Sequence, residues 1–172
     1  MLNSLPNAIT LLRLVLGVAF PWLPVDWRMP VVVLAAITDG LDGQASRLMG
    51  AESKLGVFLD SLADKVFFLA VATTLLWDGA ATWLEVLLIS LRDVAVLIGG
   101  VGAWLRDGGA AWSLMKPRWL GKFATVLQFV FIAVVLLELP ECRGPILIAT
   151  AMISALAGAD YVAAYVRSIR AG

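Results

Sequence analysis

Residues 39–64 decide how this sequence is interpreted: Asp39-Gly-Leu-Asp42-Gly43-Gln-Ala-Ser46-Arg47 is followed by Gly56, Asp60 and Asp64. Four carboxylates therefore lie in a stretch whose surroundings are almost entirely apolar. They form two pairs, spaced i,i+3 and i,i+4, and each spacing places both side chains on one face of a helix. Ionised groups inside a membrane segment are costly, so they mark functional sites. The stretch predicts a carboxylate site for a cation.

The composition predicts a membrane protein. The chain has 172 residues, of which 61% are hydrophobic and 15% charged, whereas soluble domains are about 45–50% apolar and about a quarter charged. We expect one all-α integral membrane domain over residues 1–172. Thirteen basic residues balance thirteen acidic ones, which gives no reason to expect a nucleic-acid partner. The absence of histidine excludes a Ser-His-Asp triad and histidine-ligated zinc.

Hydropathy and proline positions predict six transmembrane helices of about twenty residues, the length that crosses a hydrocarbon core about 30 Å thick. Their predicted bounds are Asn7–Leu23, Pro30–Met49, Leu55–Trp77, Thr82–Leu105, Trp119–Leu139 and Pro145–Val166. All seven tryptophans fall at the ends of these helices, as expected at a membrane interface. The second and third helices are joined by a short loop. We therefore expect them to be antiparallel neighbours that bring the four carboxylates to one level.

The basic residues predict the orientation in the membrane. Two of them, Arg28 and Arg143, lie on one side. The side that carries both termini has Arg47, Lys54, Arg106, Lys116, Arg118, Lys122, Arg167 and Arg170. The positive-inside rule places that side in the cytoplasm of a bacterial inner membrane protein, or in the matrix of a mitochondrion. The outer carboxylate of each pair then lies about 7–9 Å inside the cytoplasmic boundary.

Four carboxylates clustered in a low dielectric repel one another and are driven to protonate, unless divalent cations neutralise them. Oxygen ligands without histidine or thiolate favour Mg²⁺, Mn²⁺ or Ca²⁺, and Mg²⁺ is usually shared with substrate phosphates. A cation site near the lipid headgroups thus indicates phosphate chemistry on a lipid. Two alternatives stay open: pairing with Arg13, Lys65 and Arg92 in a packing role, or the ion pathway of a small cation transporter. A transporter would be expected to show internal repeats or interrupted helices.

The run from Asp39 to Asp64 resembles the signature of the CDP-alcohol phosphatidyltransferase family, Asp-x₂-Asp-Gly-x₂-Ala-Arg-x₈-Gly-x₃-Asp-x₃-Asp, with Ser46 where alanine is usual. The resemblance implies the six-helix CDP-alcohol phosphotransferase fold, a homodimer, and attack of an acceptor hydroxyl on the phosphatidyl phosphorus of CDP-diacylglycerol, with release of CMP. It implies that two divalent cations, Mg²⁺ or Mn²⁺ with Ca²⁺ as an occupant or inhibitor, are bound by Asp39, Asp42, Asp60 and Asp64. Asp64 is also the expected general base. The residues expected at the CDP-lipid are Asn7, Thr10, Asp42, Gly43, Ser46, Arg47 and Gly56.

The acceptor is predicted from shorter resemblances. The stretch Pro6-Asn7-Ala8-Ile9-Thr10-x-x-Arg13 resembles the opening of the branch that makes phosphatidylglycerol phosphate and cardiolipin. The stretch Ile89-Ser90-Leu91-Arg92-Asp93-Val94 resembles the Ile-Ser-Arg-Asp-Val of cardiolipin synthases, with Leu91 inserted. The preferred interpretation is therefore transfer to phosphatidylglycerol, as in a cardiolipin synthase, and the alternative acceptor is glycerol 3-phosphate.

Three basic residues are candidates to bind the phosphate of an anionic acceptor. They are Arg92, Arg118 and Lys122. Each also has a simpler interpretation, because Arg92 can pair locally with Asp93 and the other two can be ordinary positive-inside residues.

Overall fold

The computed structural model describes residues 4–49, 54–107 and 119–171, with side chains described for residues 10–38, 63–99, 119–164, 166 and 167. Every regular element in these ranges is helical, which confirms the all-α prediction. In chain order the elements are α1 (Ser4–Ala19), a short 3₁₀ helix (Phe20–Trp22), α2 (Val25–Met49), α3 (Lys54–Trp77), α4 (Trp83–Ile89), α5 (Leu91–Asp107), α6 (Trp119–Leu136) and α7 (Pro140–Ala171).

The second and sixth predicted helices were wrong at their N-terminal ends. We expected them to begin at Pro30 and Pro145, but α2 begins at Val25 and α7 at Pro140. Proline has no N–H and crowds the carbonyl four residues earlier, so it disrupts a helix most in its middle. In the second turn it removes a single backbone hydrogen bond. Each helix therefore continues through its proline, whereas α3 matches the prediction to within one residue.

The fourth predicted helix, Thr82–Leu105, was also wrong, because the chain forms two helices separated at Ser90. At this break the carbonyl oxygen of Ile89 accepts two side-chain hydrogen bonds. The donors are Gln128 Nε2 on α6 and Ser154 Oγ on α7, each at 3.0 Å. Both donor residues are buried. Buried polar side chains from two neighbouring helices thus satisfy a backbone group at the break.

Two helices in the described part of the chain are long and apolar enough to cross a membrane, Trp119–Leu136 and Pro140–Ala164. Only 39% of the most apolar stretch of the first helix and 22% of that of the second are buried within the protein. Apolar helices that leave most of their surface uncovered suit a lipid environment better than water. The count of six membrane-spanning helices stays a prediction.

The helices form two compact units, Met1–Ala81 and Thr82–Gly172. In the first unit, α1 packs along α3 and also against α2. In the second unit, α7 packs against α4, α5 and α6. A single domain over residues 1–172 stays a prediction.

Each unit contains an ion pair that involves one of the two arginines predicted on the non-cytoplasmic side. In the first unit, Arg28 pairs with Asp78 just beyond the end of α3. In the second unit, Arg143 donates from Nε and Nη2 to the two carboxylate oxygens of Glu85, at 2.7 and 2.8 Å. Both arginine charges are therefore compensated within the protein.

Replacing Arg143 with methionine is expected to lower the free energy of unfolding by about 1–2 kcal/mol, because Glu85 loses two charge-assisted hydrogen bonds in a half-buried setting. Thermal unfolding in detergent measures the change. The Glu85→Gln variant and the double variant complete a mutant cycle. If the pair stabilises the fold, the double variant loses less than the sum of the two single variants. Strict additivity would contradict this prediction.

Candidate active site

The backbone carries the four aspartates as the spacing predicts. Asp39 and Asp42 lie in α2, and Asp60 and Asp64 lie in α3. Asp64 is the member of this group whose side chain the structure describes. The other predicted residues at the cation and CDP-lipid lie outside the described side chains, except Thr10, and they are Asn7, Asp39, Asp42, Gly43, Ser46, Arg47, Gly56 and Asp60. Their convergence around a ligand stays a prediction.

The donor set of this site suits the predicted cations. Four carboxylates without histidine offer the oxygen ligands that Mg²⁺ and Mn²⁺ prefer. The Asp64 side chain is 42% exposed, so the carboxylate is accessible to a ligand. Among the described side chains no three potential ligands cluster, as expected when three of the four predicted ones lie outside that set. The residues therefore fit a divalent cation.

Asp64 forms an ion pair with Arg13 of α1. Nη1 of Arg13 donates to Oδ1 of Asp64. The two partners differ greatly in burial, because the Arg13 side chain is only 2% exposed. A buried guanidinium has little freedom to move, so the contact restrains the carboxylate that it holds. Thr10 lies one turn before Arg13 on the same helix and is half-buried.

A close approach of α1 to α3 brings Arg13 to Asp64. A Cβ atom added to Gly17 would lie 2.9 Å from Cα of Phe67, closer than packed atoms allow. One turn further along, the rings of Phe20 and Phe67 meet edge to face at 6.0 Å. Contacts occur in the same order along both helices, so α1 and α3 run parallel. Gly17 follows Arg13 by one turn on α1, and Phe67 follows Asp64 by one turn on α3. The contact between Gly17 and Phe67 therefore sets the distance between the two members of the ion pair.

The second unit contains a polar cluster around Arg92. Nη1 of Arg92 donates to the carbonyl of Gly121 and to Thr125 Oγ1 at 2.6 Å, and Nη2 donates to Asp93 at 2.8 Å. The other oxygen of Asp93 accepts from Gln128 Nε2 at 2.9 Å. The local pair of Arg92 with Asp93 is therefore present, and it belongs to a network that joins α5 to α6. Binding of an acceptor by Arg92 stays a prediction.

Of the other two candidate acceptor residues, the structure describes Lys122. Lys122 lies in the first turn of α6, with its ammonium group 5.3 Å from the centre of the Trp119 ring, a cation–π contact. Arg118 lies outside the described residues. Their role at an acceptor stays a prediction.

Sequence reasoning missed several residues that organise these clusters. Gln128 bonds both the helix break and Asp93, and Gly158 lets α7 approach Arg92, since an added Cβ would lie 3.2 Å from Ala95 and 3.6 Å from Cα of Arg92. A signal for Gln128 was available. A lone amide within an apolar helix must find partners, because burying an unpaired polar group is costly.

The fold and the aspartates together define a class: an all-α protein with helices apolar enough to cross a membrane and with paired carboxylates on two successive helices. The CDP-alcohol phosphatidyltransferase family model matches residues 3–160. The chain belongs to the CDP-alcohol phosphatidyltransferase family, which confirms the resemblance and supports the predicted class of enzyme. Members of this family are membrane-bound phospholipid synthases.

Several relatives, among them the following three, carry the name CDP-diacylglycerol–glycerol-3-phosphate 3-phosphatidyltransferase. The protein from Cereibacter sphaeroides is 38% identical over 147 residues, covering 78% of this chain and 63% of the relative. The chloroplastic protein 1 from Oryza sativa subsp. japonica is 30% identical over 156 residues, or 80% and 47% of the two chains. The Escherichia coli K12 protein is 32% identical over 139 residues, or 76% and 75%. The matched region spans less than two thirds of the first two relatives. Each of these names gives glycerol 3-phosphate as the acceptor of that relative.

Proposed function

We propose that this chain transfers the phosphatidyl group of CDP-diacylglycerol to glycerol 3-phosphate, forming phosphatidylglycerol phosphate and releasing CMP. The observation that carries the proposal is the aspartate motif from Asp39 to Asp64 in a chain of this family. Relatives from two bacteria and a plant, all named for glycerol 3-phosphate, support the choice of acceptor. Cation transport, the alternative from another class, has no comparable support.

Asp39, Asp42 and Asp60, with Asp64, are proposed to hold two divalent cations, Mg²⁺ or Mn²⁺. Bound cations would supply neutralisation of the charge on the diphosphate and on the departing CMP. The small residues Gly43, Ser46 and Gly56 would leave room beside the carboxylates for the CDP moiety. Asn7, Thr10 and Arg47 would contribute polar contacts to the same substrate.

The reaction forms one phosphorus–oxygen bond and breaks another. An acceptor hydroxyl oxygen attacks the phosphatidyl phosphorus, and the bond from that phosphorus to the bridging oxygen breaks. CMP leaves with the bonding electron pair, and the hydroxyl proton passes to Asp64. Asp64 suits this task because its carboxylate is 42% exposed and restrained by Arg13. A positioned general base contributes about 10²–10⁴-fold to rate.

The phosphate of glycerol 3-phosphate requires a cationic site. Lys122 and Arg118 are the stronger proposals for it. Arg92 has less capacity, because donors on both terminal nitrogens already bond Gly121, Thr125 and Asp93. We also propose a homodimer in a bacterial inner membrane, with the site facing the cytoplasm, where the predicted positive-inside face lies.

An acceptor assay tests this function. The purified full chain in detergent micelles is given CDP-diacylglycerol and Mg²⁺ with either glycerol 3-phosphate or phosphatidylglycerol. CMP release is measured, and the lipid products are resolved by mass. We expect release with glycerol 3-phosphate to exceed that with phosphatidylglycerol by at least about 100-fold, since a site built for one polar acceptor rejects another strongly. Chelation of the metal is the control and should stop release.

Formation of cardiolipin as the main product would instead support the cardiolipin synthase interpretation. Absence of CMP release with both acceptors would contradict the proposed function as a whole.

A further inference from the structure

We propose that Gln128 is a positioning residue, which holds the first turn of α6 in place for the acceptor. That turn carries Lys122, and Gln128 acts on it through Asp93 and Arg92. The inference rests on the proposed function, in which Lys122 binds the phosphate of glycerol 3-phosphate. Gln128 itself touches neither substrate, because its effect passes along hydrogen bonds within the second unit.

The first support is the amide of Gln128, which is buried between two hydrogen-bond acceptors. Gln128 is 6% exposed. Its Nε2 donates to the carbonyl oxygen of Ile89 at 3.0 Å and to Oδ2 of Asp93 at 2.9 Å. An amide nitrogen carries two hydrogens, and a carbonyl or a carboxylate can only accept. The two bonds therefore fix which way the amide faces, and they hold Asp93 by one of its oxygens.

The second support is that these bonds leave α6 and return to it. Oδ1 of Asp93 accepts from Nη2 of Arg92 at 2.8 Å, and Nη1 of Arg92 donates to the Gly121 carbonyl and to Thr125 Oγ1. Gly121, Thr125 and Gln128 are spaced by four and three residues, so they share one face of α6. We call this set of bonds the α5–α6 network. Rotation of α6 against α5 would stretch at least one of its bonds.

The third support is the close packing at Gly121, where the α5–α6 network meets the backbone of α6. Gly121 is buried. A Cβ added there would lie 3.3 Å from the hydroxyl oxygen of Tyr161 and 3.8 Å from Nη1 of Arg92. Side chains from α5 and α7 thus enclose this turn. A shift of Arg92 is therefore passed on to the backbone of α6, since there is little open space to absorb it.

Lys122 is the residue that these contacts place. It follows Gly121 directly, and one residue turns an α-helix by about 100°, so its side chain leaves α6 on a neighbouring face. Its ammonium group lies 5.3 Å from the centre of the Trp119 ring. The α5–α6 network holds the backbone from which Lys122 extends, and the lysine ammonium is not one of its members. That positive charge is what an anionic acceptor requires.

Two variants of Gln128 and one matched control test the proposal. Gln128→Glu keeps the shape but puts an acceptor beside Asp93, and Gln128→Met removes both bonds without adding charge. The control is Ser154→Ala, because the buried Ser154 donates to the same Ile89 carbonyl at 3.0 Å and its loss leaves the bond to Asp93 intact. Each purified full chain is assayed for CMP release with CDP-diacylglycerol, Mg²⁺ and varied glycerol 3-phosphate. Thermal unfolding in detergent is measured on the same preparations.

We expect KM for glycerol 3-phosphate to rise about tenfold in Gln128→Met, well within the roughly 10²-fold that a 1 Å misplacement can cost. The rise should reach about 30-fold in Gln128→Glu, because the new carboxylate repels Asp93. KM for CDP-diacylglycerol and kcat should each change less than about threefold, since the loss concerns binding of the acceptor. Ser154→Ala should lower the unfolding midpoint, as Gln128→Met does, but keep KM for glycerol 3-phosphate within about twofold of wild type.

A double-mutant cycle tests whether Gln128 acts through Lys122. Lys122→Gln removes the ammonium group and should itself raise KM for glycerol 3-phosphate by about tenfold or more. Adding Gln128→Met to Lys122→Gln should then raise KM by less than about twofold further, because the group that Gln128 positions is already absent. A full tenfold rise in both backgrounds would overturn the proposal, since Gln128 would then reach the acceptor by another route, such as direct binding by Arg92.

Equal KM for glycerol 3-phosphate in Gln128→Met and Ser154→Ala would also overturn the proposal, because Gln128 would then serve only the helix break. If Gln128→Glu does not fold, Gln128→Met decides by the same criteria. Failure of both variants to fold would assign Gln128 a purely structural role and overturn the proposal. All these outcomes leave the proposed function standing. A wild-type chain that releases no CMP with glycerol 3-phosphate refutes that function and this inference with it.

Discussion

Replacing Asp64 with asparagine is expected to abolish CMP release, lowering kcat by about 10³-fold or more. The amide keeps the size of the carboxylate, and its oxygen can still accept from Arg13, so the contact that orients the side chain is retained. It cannot take up the hydroxyl proton, which is the step proposed for Asp64. The measurement is CMP release by the purified protein with saturating CDP-diacylglycerol, glycerol 3-phosphate and Mg²⁺.

The matched control is Asp78→Asn. Asp78 follows the end of α3, the helix that carries Asp64, and it also pairs with an arginine, Arg28. We expect this control to retain activity within about twofold, because Asp78 lies just beyond the end of α3, about 20 Å along the helix from Asp64. An unchanged unfolding midpoint in Asp64→Asn shows that the loss is chemical. Near-wild-type turnover by a folded Asp64→Asn protein would remove Asp64 from the role of base.

Replacing Gly17 with alanine should reduce both stability and activity. The new methyl group would meet Cα and N of Phe67 at 2.9 and 3.3 Å, and backbone atoms cannot swing aside as a side-chain tip can. Overpacking of this kind costs about 1–3 kcal/mol. Because the same contact brings Arg13 to Asp64, a small separation of α1 from α3 should also lower kcat by about tenfold. Thermal unfolding in detergent and CMP release measure the two effects.

Gly144→Ala is the control for this substitution. Gly144 lies inside α7, and an added Cβ there meets nothing within 4 Å. Alanine favours a helix by up to about 1 kcal/mol relative to glycine, so this variant should be as stable as the wild type or slightly more stable. Equal stability of the Gly17→Ala and Gly144→Ala proteins would contradict this prediction, because it would show that an added methyl group fits between α1 and α3.

Local pattern predicted most of the helices, and it failed where distant residues decide the outcome. Hydropathy identified α3 to within one residue. The break at Ser90 depends on Gln128 and Ser154, which follow Ile89 by 39 and 65 residues, and no window centred on the break contains them. The prolines limit the prediction of helix ends in a different way. Whether Pro30 or Pro145 interrupts its helix depends on how many residues before the proline that helix begins.

The candidate site shows the same division. The spacing of the four aspartates predicted a cation site and led to the family. From the sequence, the basic residue that pairs with Asp64 could be any of Arg13, Lys65 and Arg92. Which of them forms the pair depends on the contact between Gly17 and Phe67, and Gly17 lies about 50 residues before Asp64 in the chain.

The preference for phosphatidylglycerol as acceptor relied in part on the stretch that contains Arg92 and Asp93. In the structure these two residues form a network with Gly121, Thr125 and Gln128. A resemblance at Arg92 and Asp93 therefore reflects the packing of α5 against α6, and it says little about which acceptor the protein binds.

The break at Ser90 lies directly before Leu91, the residue inserted relative to Ile-Ser-Arg-Asp-Val. One extra residue in an uninterrupted α-helix turns everything after it by about 100°. Here the helix ends at Ile89, whose carbonyl is held by side chains from α6 and α7, and a new helix begins at Leu91. Ser90 still donates to the Val86 carbonyl and accepts from the Val94 N–H, so the backbone stays helical through the break. Arg92, which follows the extra residue, is bonded to Gly121 and Thr125 on α6, so contacts with another helix, and not the length of the segment, determine how the start of α5 is oriented.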